Sequence, residues 1–404
     1  MKILYVNTYY NGGGAEKVMR QLYMGNKTDE VKTYCMVGRY QKNLPENIEV
    51  IYTSFFDRAL TTLVGGCVRN TLLKTNKAKR KIIDIIQKEH IDIVHFHNIH
   101  SNYLGITDIA EIQKYCKSII ITVHDMWLVT GGCAHACECE KWFNGMACKS
   151  CLGNYSMKKF SLAHYVYRLK KQSFLNKDII YVTPSKWIYD VFKKSYFCDE
   201  RVRIIDNGID LKKYCVHSKK GMREKYKLPL DKNLILFVAN GINNIHKGFI
   251  YLKKALEKLS DKDKYAMIIV GNREEENIEL PFDMYKMGYI SSEQMMSELY
   301  SAADVYIHPS MADISSFTAM EAMASGTPVI AFRTGGIPEI VNEENGWLVE
   351  PKNVDELSNC IEEAFRDRKK LENKAKLCRE YVEKNRSIEK TLDEYKKLYY
   401  EIKE

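Results

Sequence analysis

Val305-Tyr306-Ile307-His308, Asp313-Ile314-Ser315-Ser316-Phe317-Thr318-Ala319-Met320-Glu321 and Ala322-Met323-Ala324-Ser325-Gly326-Thr327-Pro328-Val329-Ile330-Ala331 form the stretch on which the fold turns. The first four residues read as a strand, and the Ala- and Met-rich run reads as a helix starting near Ser316. Gly326-Thr327-Pro328 breaks that helix before a second strand over Pro328–Ala331. A strand, a crossover helix and a strand in so short a span make a βαβ unit, whose strands run parallel.

The alternation extends outward on both sides. Leu234–Ala239 and Ala266–Val270 precede this unit as strand candidates, and Gly346–Val349 follows it. An earlier series comprises Lys2–Asn7, Thr33–Val37, Ile91–His95, Ile119–Val123, Ile179–Val182 and Val202–Ile205. Helical patterns at Glu16–Tyr23, Lys77–Lys88 and Ser185–Ser195 lie between several of these. Separating the two series, Lys212–Lys232 is polar and lacks a hydrophobic period, with charge concentrated at Lys219, Lys220, Arg223, Glu224 and Lys225. The expected fold class is therefore α/β, with two facing, doubly wound, Rossmann-like domains. Residues 1–205 form the first and 206–386 the second, while 387–404, a Tyr- and Lys-rich amphipathic helix, crosses back to the first. Ligands in such sheets bind beyond the carboxyl ends of the strands, so function is expected in the loops that follow them, at a cleft between the halves.

Composition narrows the classes. With 404 residues, 45% of them hydrophobic, the chain can bury two or three cores. Only 8 Pro and 22 Gly beside 28% charged residues exclude collagen-like, low-complexity and disordered chains. A net charge of +9 points to anionic partners such as nucleotides or phospholipid surfaces. No basic stripe with interleaved aromatics supports nucleic acid binding. The opening apolar run is too short for a signal-peptide core, and no stretch approaches the ~18 apolar residues that cross a bilayer. These features predict a cytoplasmic protein in a reducing compartment, where the 12 cysteines need not pair.

With the helix starting near Ser316, Asp313 stays on the loop and Glu321 lies about one and a half turns inside. First-turn amides then offer a site for a diphosphate, and Glu321 can accept hydrogen bonds from nearby sugar hydroxyls. That pairing suits a nucleotide sugar; a capped surface helix with incidental acids is the alternative. After the first strand, Asn11-Gly12-Gly13-Gly14-Ala15-Glu16 opens a helix, where glycines allow close approach and free amides favour a phosphate. It lacks the spacing of the dinucleotide and P-loop motifs, so a plain tight turn is also open.

These motifs resemble glycosyltransferase family 4, of the GT-B fold, whose C-terminal half carries a Glu/Asp-x7-Glu motif. Asp313 and Glu321 match it, and Gly326–Ala331 and Gly335-Gly336-Ile337-Pro338-Glu339 are in family style. Gly13-Gly14-Ala15-Glu16 is similar to the family's first glycine loop, His124 to its N-domain active-site histidine, and Asn207-Gly208-Ile209-Asp210 to the entry into its second domain. The resemblance covers nearly the whole chain. It lies nearest the bacterial capsule and exopolysaccharide branch, through His97-Asn98-Ile99-His100, His124-Asp125-Met126-Trp127 and a cysteine-bearing loop. It implies a retaining, hexosyl-type transferase that moves a sugar from a nucleoside diphosphate donor to a saccharide or lipid-linked acceptor in surface polysaccharide synthesis. By the same resemblance His124 contacts the transferred sugar, the leaving phosphate receives the acceptor's proton, and no protein nucleophile or catalytic cofactor is required.

Displacing a nucleoside diphosphate builds negative charge that something must stabilise. Lys247, in His246-Lys247-Gly248, is the candidate cation, with Asn240 of the same loop and Gly13, Gly14, Ser315, Ser316, Phe317, Thr318 and Glu321 as the other donor contacts. A solvated lysine at a helix start is the alternative for Lys247. Family members usually add an arginine here, and residues 239–246 contain none; His246 and Arg273 are the substitutes on offer. Asp261-Lys262-Asp263 precedes its strand, the wrong end for a catalytic metal, so transfer is expected to be metal-independent. His97, Asn98 and His100 follow the strand Ile91–His95 and are acceptor-side candidates, with structural roles equally open.

Cys133, Cys139, Cys148 and Cys151 can supply a tetrahedral structural zinc site, against packed thiols or redox pairing. Trp127 and Trp142 border that loop. Basic clusters at Lys74–Lys81 and at Arg168, Lys170 and Lys171 either face an anionic membrane carrying the acceptor or are solvated helix faces. A nucleotide-sugar epimerase, a glycoside phosphorylase and an inactive nucleotide-sugar-binding subunit are the rival functions on this fold.

Overall fold

The computed structural model describes residues 1–52, 76–101, 103–136, 139–142, 163–175, 177–239, 241, 244–271 and 279–403. They form two compact units, Met1–Asp206 with Leu392–Glu404, and Asn207–Thr391.

In the first unit, seven parallel strands are β1 (Lys2–Asn7), β2 (Lys32–Arg39), β3 (Ile48–Tyr52), β4 (Ile93–Phe96), β5 (Ser118–Thr122), β6 (Ile179–Thr183) and β7 (Arg201–Ile204). Their order is β3-β2-β1-β4-β5-β6-β7. From Ile3 to Asn7 every residue of β1 is buried, as expected of a central parallel strand covered on both faces. Strand order reverses between β1 and β4, in register Tyr5↔His95 and Val6↔Phe96, which marks the loops after these strands as the ligand-binding end. The helices are α1 (Gly14–Gly25), α2 (Asn76–Glu89), α3 (Asp108–Ile112), α4 (Ala163–Phe174) and α5 (Lys186–Lys193), the last capped by Ser185 Oγ, which accepts from Ile188 N.

The second unit repeats the plan with β8 (Asn233–Val238), β9 (Tyr265–Val270), β10 (Asp283–Lys286), β11 (Val305–His308), β12 (Val329–Phe332) and β13 (Gly346–Val349), in the order β10-β9-β8-β11-β12-β13. Its helices are α6 (Lys219–Lys225), α7 (Phe249–Glu257), α8 (Glu293–Ala302), α9 (Phe317–Ala324), α10 (Val354–Arg366) and α11 (Arg368–Asn385). Phe237, Leu252, Met267, Ile307, Ile330, Leu357 and Ile361 pack together in its core. The switch here lies between β8 and β11, so the loops after those strands, which carry Lys247 and Asp313, occupy the ligand-binding end.

The charged stretch Lys212–Lys232 is not a featureless linker. Arg223 of α6 is buried, and its Nη2 pairs with the buried Asp304 Oδ2 at 2.8 Å. The same guanidinium donates to the carbonyls of Ala302, Pro229 and Lys232 at 2.9, 3.3 and 3.1 Å. Asp304 also accepts Leu234 N at 2.8 Å, fixing the start of β8.

The last helix, α12 (Ile388–Lys403), starts where Ile209 and Ser387 form a bridge in the second unit. In the first unit its Tyr395, Leu398 and Tyr399 are buried, with Tyr399 OH 2.8 Å from His95 Nδ1 and Tyr395 OH 2.9 Å from Thr122 Oγ1. No helix among the described residues is long and apolar enough to cross a membrane.

Candidate active site

In the second unit β11 ends at His308, and residues 309–316 turn into α9, whose N-cap Ser316 Oγ accepts from Ala319 N at 3.3 Å. Two glycines with positive φ hold this turn. At Gly248 (φ +69°) a Cβ would lie 1.8 Å from Pro309 O. Met311 N and Ser310 Oγ both donate to His246 O, at 2.8 and 3.1 Å. The short 3-10 turn Ile245–Lys247 is thereby fixed against the loop, with the partly exposed Lys247 at its end. On the other side, Gly335 (φ +55°) approaches so closely that a Cβ would lie 1.9 Å from Asp313 O, while Gly336 N donates to that oxygen at 3.0 Å.

The side chains follow from this frame. Asp313 Oδ2 is 3.2 Å from His308 Nε2, and His308 Nδ1 is 3.0 Å from Tyr306 OH. Glu321 is buried on α9, accepting from Tyr300 OH at 3.3 Å and hydrogen-bonded to Tyr214. Burial and the nearby Glu321 charge raise the phenols of both Tyr214 and Tyr300 far above the usual range, so both remain donors to it. Ser315 Oγ is buried without a hydrogen-bond partner among the described residues, a state that a ligand would relieve. The structure therefore brings Asp313, Ser315, Ser316, Phe317, Thr318 and Glu321 together around one helix start, with Lys247 on a turn clamped to the same loop. A helix start presents first-turn amides and a partial positive charge, which suits a phosphate. Asn240 and Arg273 lie outside the described residues.

In the first unit a column of imidazoles lines the ends of β4 and β5. His95 stacks on His97 with centroids 4.4 Å apart, and His97 on His124 at 5.1 Å. His97 Nδ1 lies 2.8 Å from His124 Nε2. Desolvation, then the neighbouring imidazoles, pulls the buried His97 well below its usual range. Desolvation also takes His95 to about 3 and His124 to about 4, the latter despite Asp125. Burial thus favours the neutral form of all three rings, which can offer hydrogen bonds but no positive charge. His97 Nε2 and Asn7 Nδ2 are buried without partners among the described residues. His100 Nε2 pairs with Asp125 Oδ2 at 2.8 Å, and Asp125 Oδ1 accepts Trp127 N at 2.8 Å. Burial opposes the Asp125 charge most, but the His100 charge and hydrogen bond, the Trp127 amide and His135 together lower the carboxyl. Asn98 contributes backbone: its N–H donates to Asn7 Oδ1 at 3.1 Å and its carbonyl accepts from Tyr103 OH at 2.7 Å.

The glycine loop is more occupied than the sequence suggests. Gly13 is the N-cap of α1, and the carboxylate of Glu16 folds back to accept its N–H, half of a capping box. Burial raises the Glu16 carboxyl, partly offset by the Glu16 and Gly13 amides. Gly13 N–H is therefore already taken, while Gly14 opens the helix.

Lys170 departs from the surface cluster assigned to it. It is fully buried on α4, its Nζ 3.9 Å from the Trp127 ring centroid and hydrogen-bonded to Trp127 O. Burial pushes its ammonium down to about 7 against the pull of Asp125 and Cys133. Its position was legible: Val166, Lys170 and Phe174 are spaced i, i+4, i+8 on the helix's buried stripe. Arg168 and Lys171 are exposed, whereas in the Lys74–Lys81 cluster Lys79 pairs with Glu111 and Lys81 donates to Val50 O. Lys74, Cys148 and Cys151 lie outside the described residues, and no group of three or more His, Cys, Asp or Glu among the described residues is placed to hold a metal. Trp127 is a buried packing partner of Lys170 and His100. Sequence reading assigned no role to His308, Tyr300 or Tyr214, and quoted Asp125 only within a motif; for His308, the two-residue alternation with Tyr306 along β11 was the available signal.

Comparison with known proteins agrees with this geometry. Residues 12–213 match the family described as Glycosyltransferase Family 4, and residues 218–385 match glycosyl transferases group 1. A glycosyl transferase assigned to colanic acid biosynthesis in Escherichia coli K12 is 26% identical over 65% of this chain and 65% of its own. An uncharacterized glycosyltransferase of Methanocaldococcus jannaschii is 28% identical over 42% of this chain and 46% of its own. The chain thus spans less than two thirds of these two relatives. An E. coli enzyme named UDP-Gal:alpha-D-GlcNAc-diphosphoundecaprenol alpha-1,3-galactosyltransferase is 24% identical over 83% of this chain and 82% of its own. Among solved structures, Thermosynechococcus elongatus sucrose-phosphate synthase superposes over 100% of this chain and 99% of its own, with TM-score 0.77 and 18% identity. Anabaena HepE in complex with UDP-glucose does so over 99% and 100%, with TM-score 0.71 and 16% identity. Two parallel sheets of seven and six strands with these neighbours make the fold GT-B. The chain belongs to glycosyltransferase family 4.

Proposed function

We propose that the protein is a retaining glycosyltransferase that moves a sugar from a nucleoside diphosphate donor to a saccharide or lipid-linked acceptor in surface polysaccharide synthesis. The observation that carries this is the α9 start, where Asp313, the unpartnered Ser315 hydroxyl, the Ser316 cap and the buried Glu321 meet. Glu321, held by Tyr300, accepts the ribose hydroxyls; Lys247 and the first-turn amides and hydroxyls of Ser315–Thr318 hold the diphosphate; Asp313 orients the sugar. Lys247 supports the clamp because its ammonium makes no ion pair with any described residue. In the first unit the neutral His124 and His97 offer hydrogen bonds to sugar hydroxyls, with His100 and Asn98 beside them. The leaving phosphate takes the acceptor's proton, and no group here need ionise. HepE bound to UDP-glucose and a relative named for a lipid-diphosphate acceptor support this choice of substrates. Exposed Arg168 and Lys171 favour work at the anionic inner face of the cytoplasmic membrane.

A thermal-shift screen over UDP-, GDP- and ADP-sugars identifies the donor, and mass spectrometry of products with lipid-linked saccharides identifies the acceptor. Glu321→Ala and Lys247→Ala are expected to lose most donor turnover while keeping the wild-type melting profile; wild-type turnover in either would remove the assignment.

A further inference from the structure

β11 and the start of α9 share a chain of side chains whose two buried middle members, Tyr306 and His308, have no role in the donor site above. Ser316 Oγ lies 3.1 Å from Thr318 Oγ1, Tyr306 OH donates to Thr318 Oγ1 at 2.9 Å, Tyr306 OH lies 3.0 Å from His308 Nδ1, and His308 Nε2 lies 3.2 Å from Asp313 Oδ2. Tyr306 and His308 are both buried. A phenol has one proton, and here Thr318 receives it. Tyr306 oxygen must then accept from His308, which fixes a proton on Nδ1. A hydrogen bond between His308 Nε2 and Asp313 Oδ2 then needs one further proton, carried by either atom. Bonded at both nitrogens, the ring cannot turn, and it pins one oxygen of Asp313 while the Gly335–Gly336 turn pins the backbone of the same residue.

We infer that His308 is a positioning residue that aims Asp313 at the donor sugar and ties its carboxylate to the hydroxyls of the phosphate-binding turn. This rests on the donor site proposed above. The separation between Asp313 and the diphosphate contacts is then set by a rigid hydrogen-bonded chain, so His308 governs the rate of sugar transfer and leaves nucleotide binding to Glu321 and Lys247.

Two variants and one spectrum test this. In His308→Gln the amide nitrogen can occupy the place of Nε2 and still donate to Asp313; in His308→Asn the shorter side chain reaches Tyr306 but not Asp313. Asn is expected to lower kcat between about tenfold and about a hundredfold with KM for the donor within about twofold, a displacement of the order of 1 Å being enough for that loss. Gln is expected to recover most of kcat. Equal loss in both variants, a loss confined to KM, or wild-type kcat in Asn would overturn the inference. In ¹⁵N-histidine-labelled wild type, the His308 signal, assigned by its absence from either variant, is expected to show a protonated Nδ1; an unprotonated Nδ1 overturns the chain of donors whether or not the variants fold. Wild-type protein that binds and turns over no nucleotide sugar would instead refute the donor site, and the spectrum would still decide the geometry of the pair.

Discussion

Gly335→Ala perturbs the turn that holds Asp313 without touching a side chain of the site. The new Cβ would lie 1.9 Å from Asp313 O, and the residue sits at φ +55°. A left-handed conformation costs a non-glycine residue about 1 kcal/mol. Relief of the clash requires the loop to open by about 1 Å, which breaks the 3.0 Å bond from Gly336 N to Asp313 O and costs about 1 kcal/mol more. The total is about 2 to 3 kcal/mol. Gly288 is the matched control in the same unit: φ is +64° and a Cβ there meets nothing within 4 Å, leaving only the conformational cost of about 1 kcal/mol. Thermal unfolding should separate the two, at roughly 2 to 4 °C per kcal/mol for a unit of this size. Donor turnover at temperatures where both variants are folded should separate them further. A shift of about 1 Å in Asp313 predicts a loss of the order of 100-fold for Gly335→Ala and none for Gly288→Ala. Equal turnover in the two variants would refute the claim that this turn sets the position of Asp313.

Two further outcomes concern buried charge. Lys170 is held down at about 7, so between that value and the ordinary lysine range the unfolded chain binds a proton that the fold does not, and stability contributed at this position rises with pH. Urea unfolding of wild type against Lys170→Met should show a difference that moves in favour of wild type by on the order of 2 kcal/mol between pH 6.5 and 9; a flat difference would place the amine in solvent. Arg223→Met leaves the buried Asp304 carboxylate with Lys219, Arg368 and the Leu234 amide but without its buried guanidinium partner, and is expected to cost about 3 kcal/mol of stability, whereas the exposed Lys220→Met costs almost nothing. Matching denaturant midpoints for the two would contradict the role given to Arg223.

Central parallel strands are legible in sequence because burial on both faces writes them as unbroken apolar runs, as in Lys2–Asn7 and Val305–His308. β3 and β10 were not; in Asp283-Met284-Tyr285-Lys286, at a sheet edge, two exposed charged residues flank two half-buried ones, and no apolar run forms. The Asp313–Glu321 site was legible because its residues sit on one strand–loop–helix segment, where spacing alone fixes geometry. Tyr300 and Tyr214, which hold Glu321, arrive from distant parts of the chain. Local spacing cannot bring them there. Lys170 was misplaced because neighbouring Arg168 and Lys171 made a charge run, and the run hid a helical stripe of which it is the middle member. Glu16 was quoted as part of a glycine loop, yet its length lets it cap that loop and take the Gly13 amide.

In the function proposed above, the α9 start holds a nucleoside diphosphate sugar and the protein transfers its sugar. The most direct measurement incubates wild type and Glu321→Ala with the donor that gives the largest thermal shift and with a lipid-linked saccharide, and follows nucleoside diphosphate release together with product mass. Wild type should release one nucleoside diphosphate for each acceptor that gains the mass of one sugar, and Glu321→Ala should do neither while folding normally. Nucleotide release without a heavier acceptor, or equal transfer by Glu321→Ala, would contradict it.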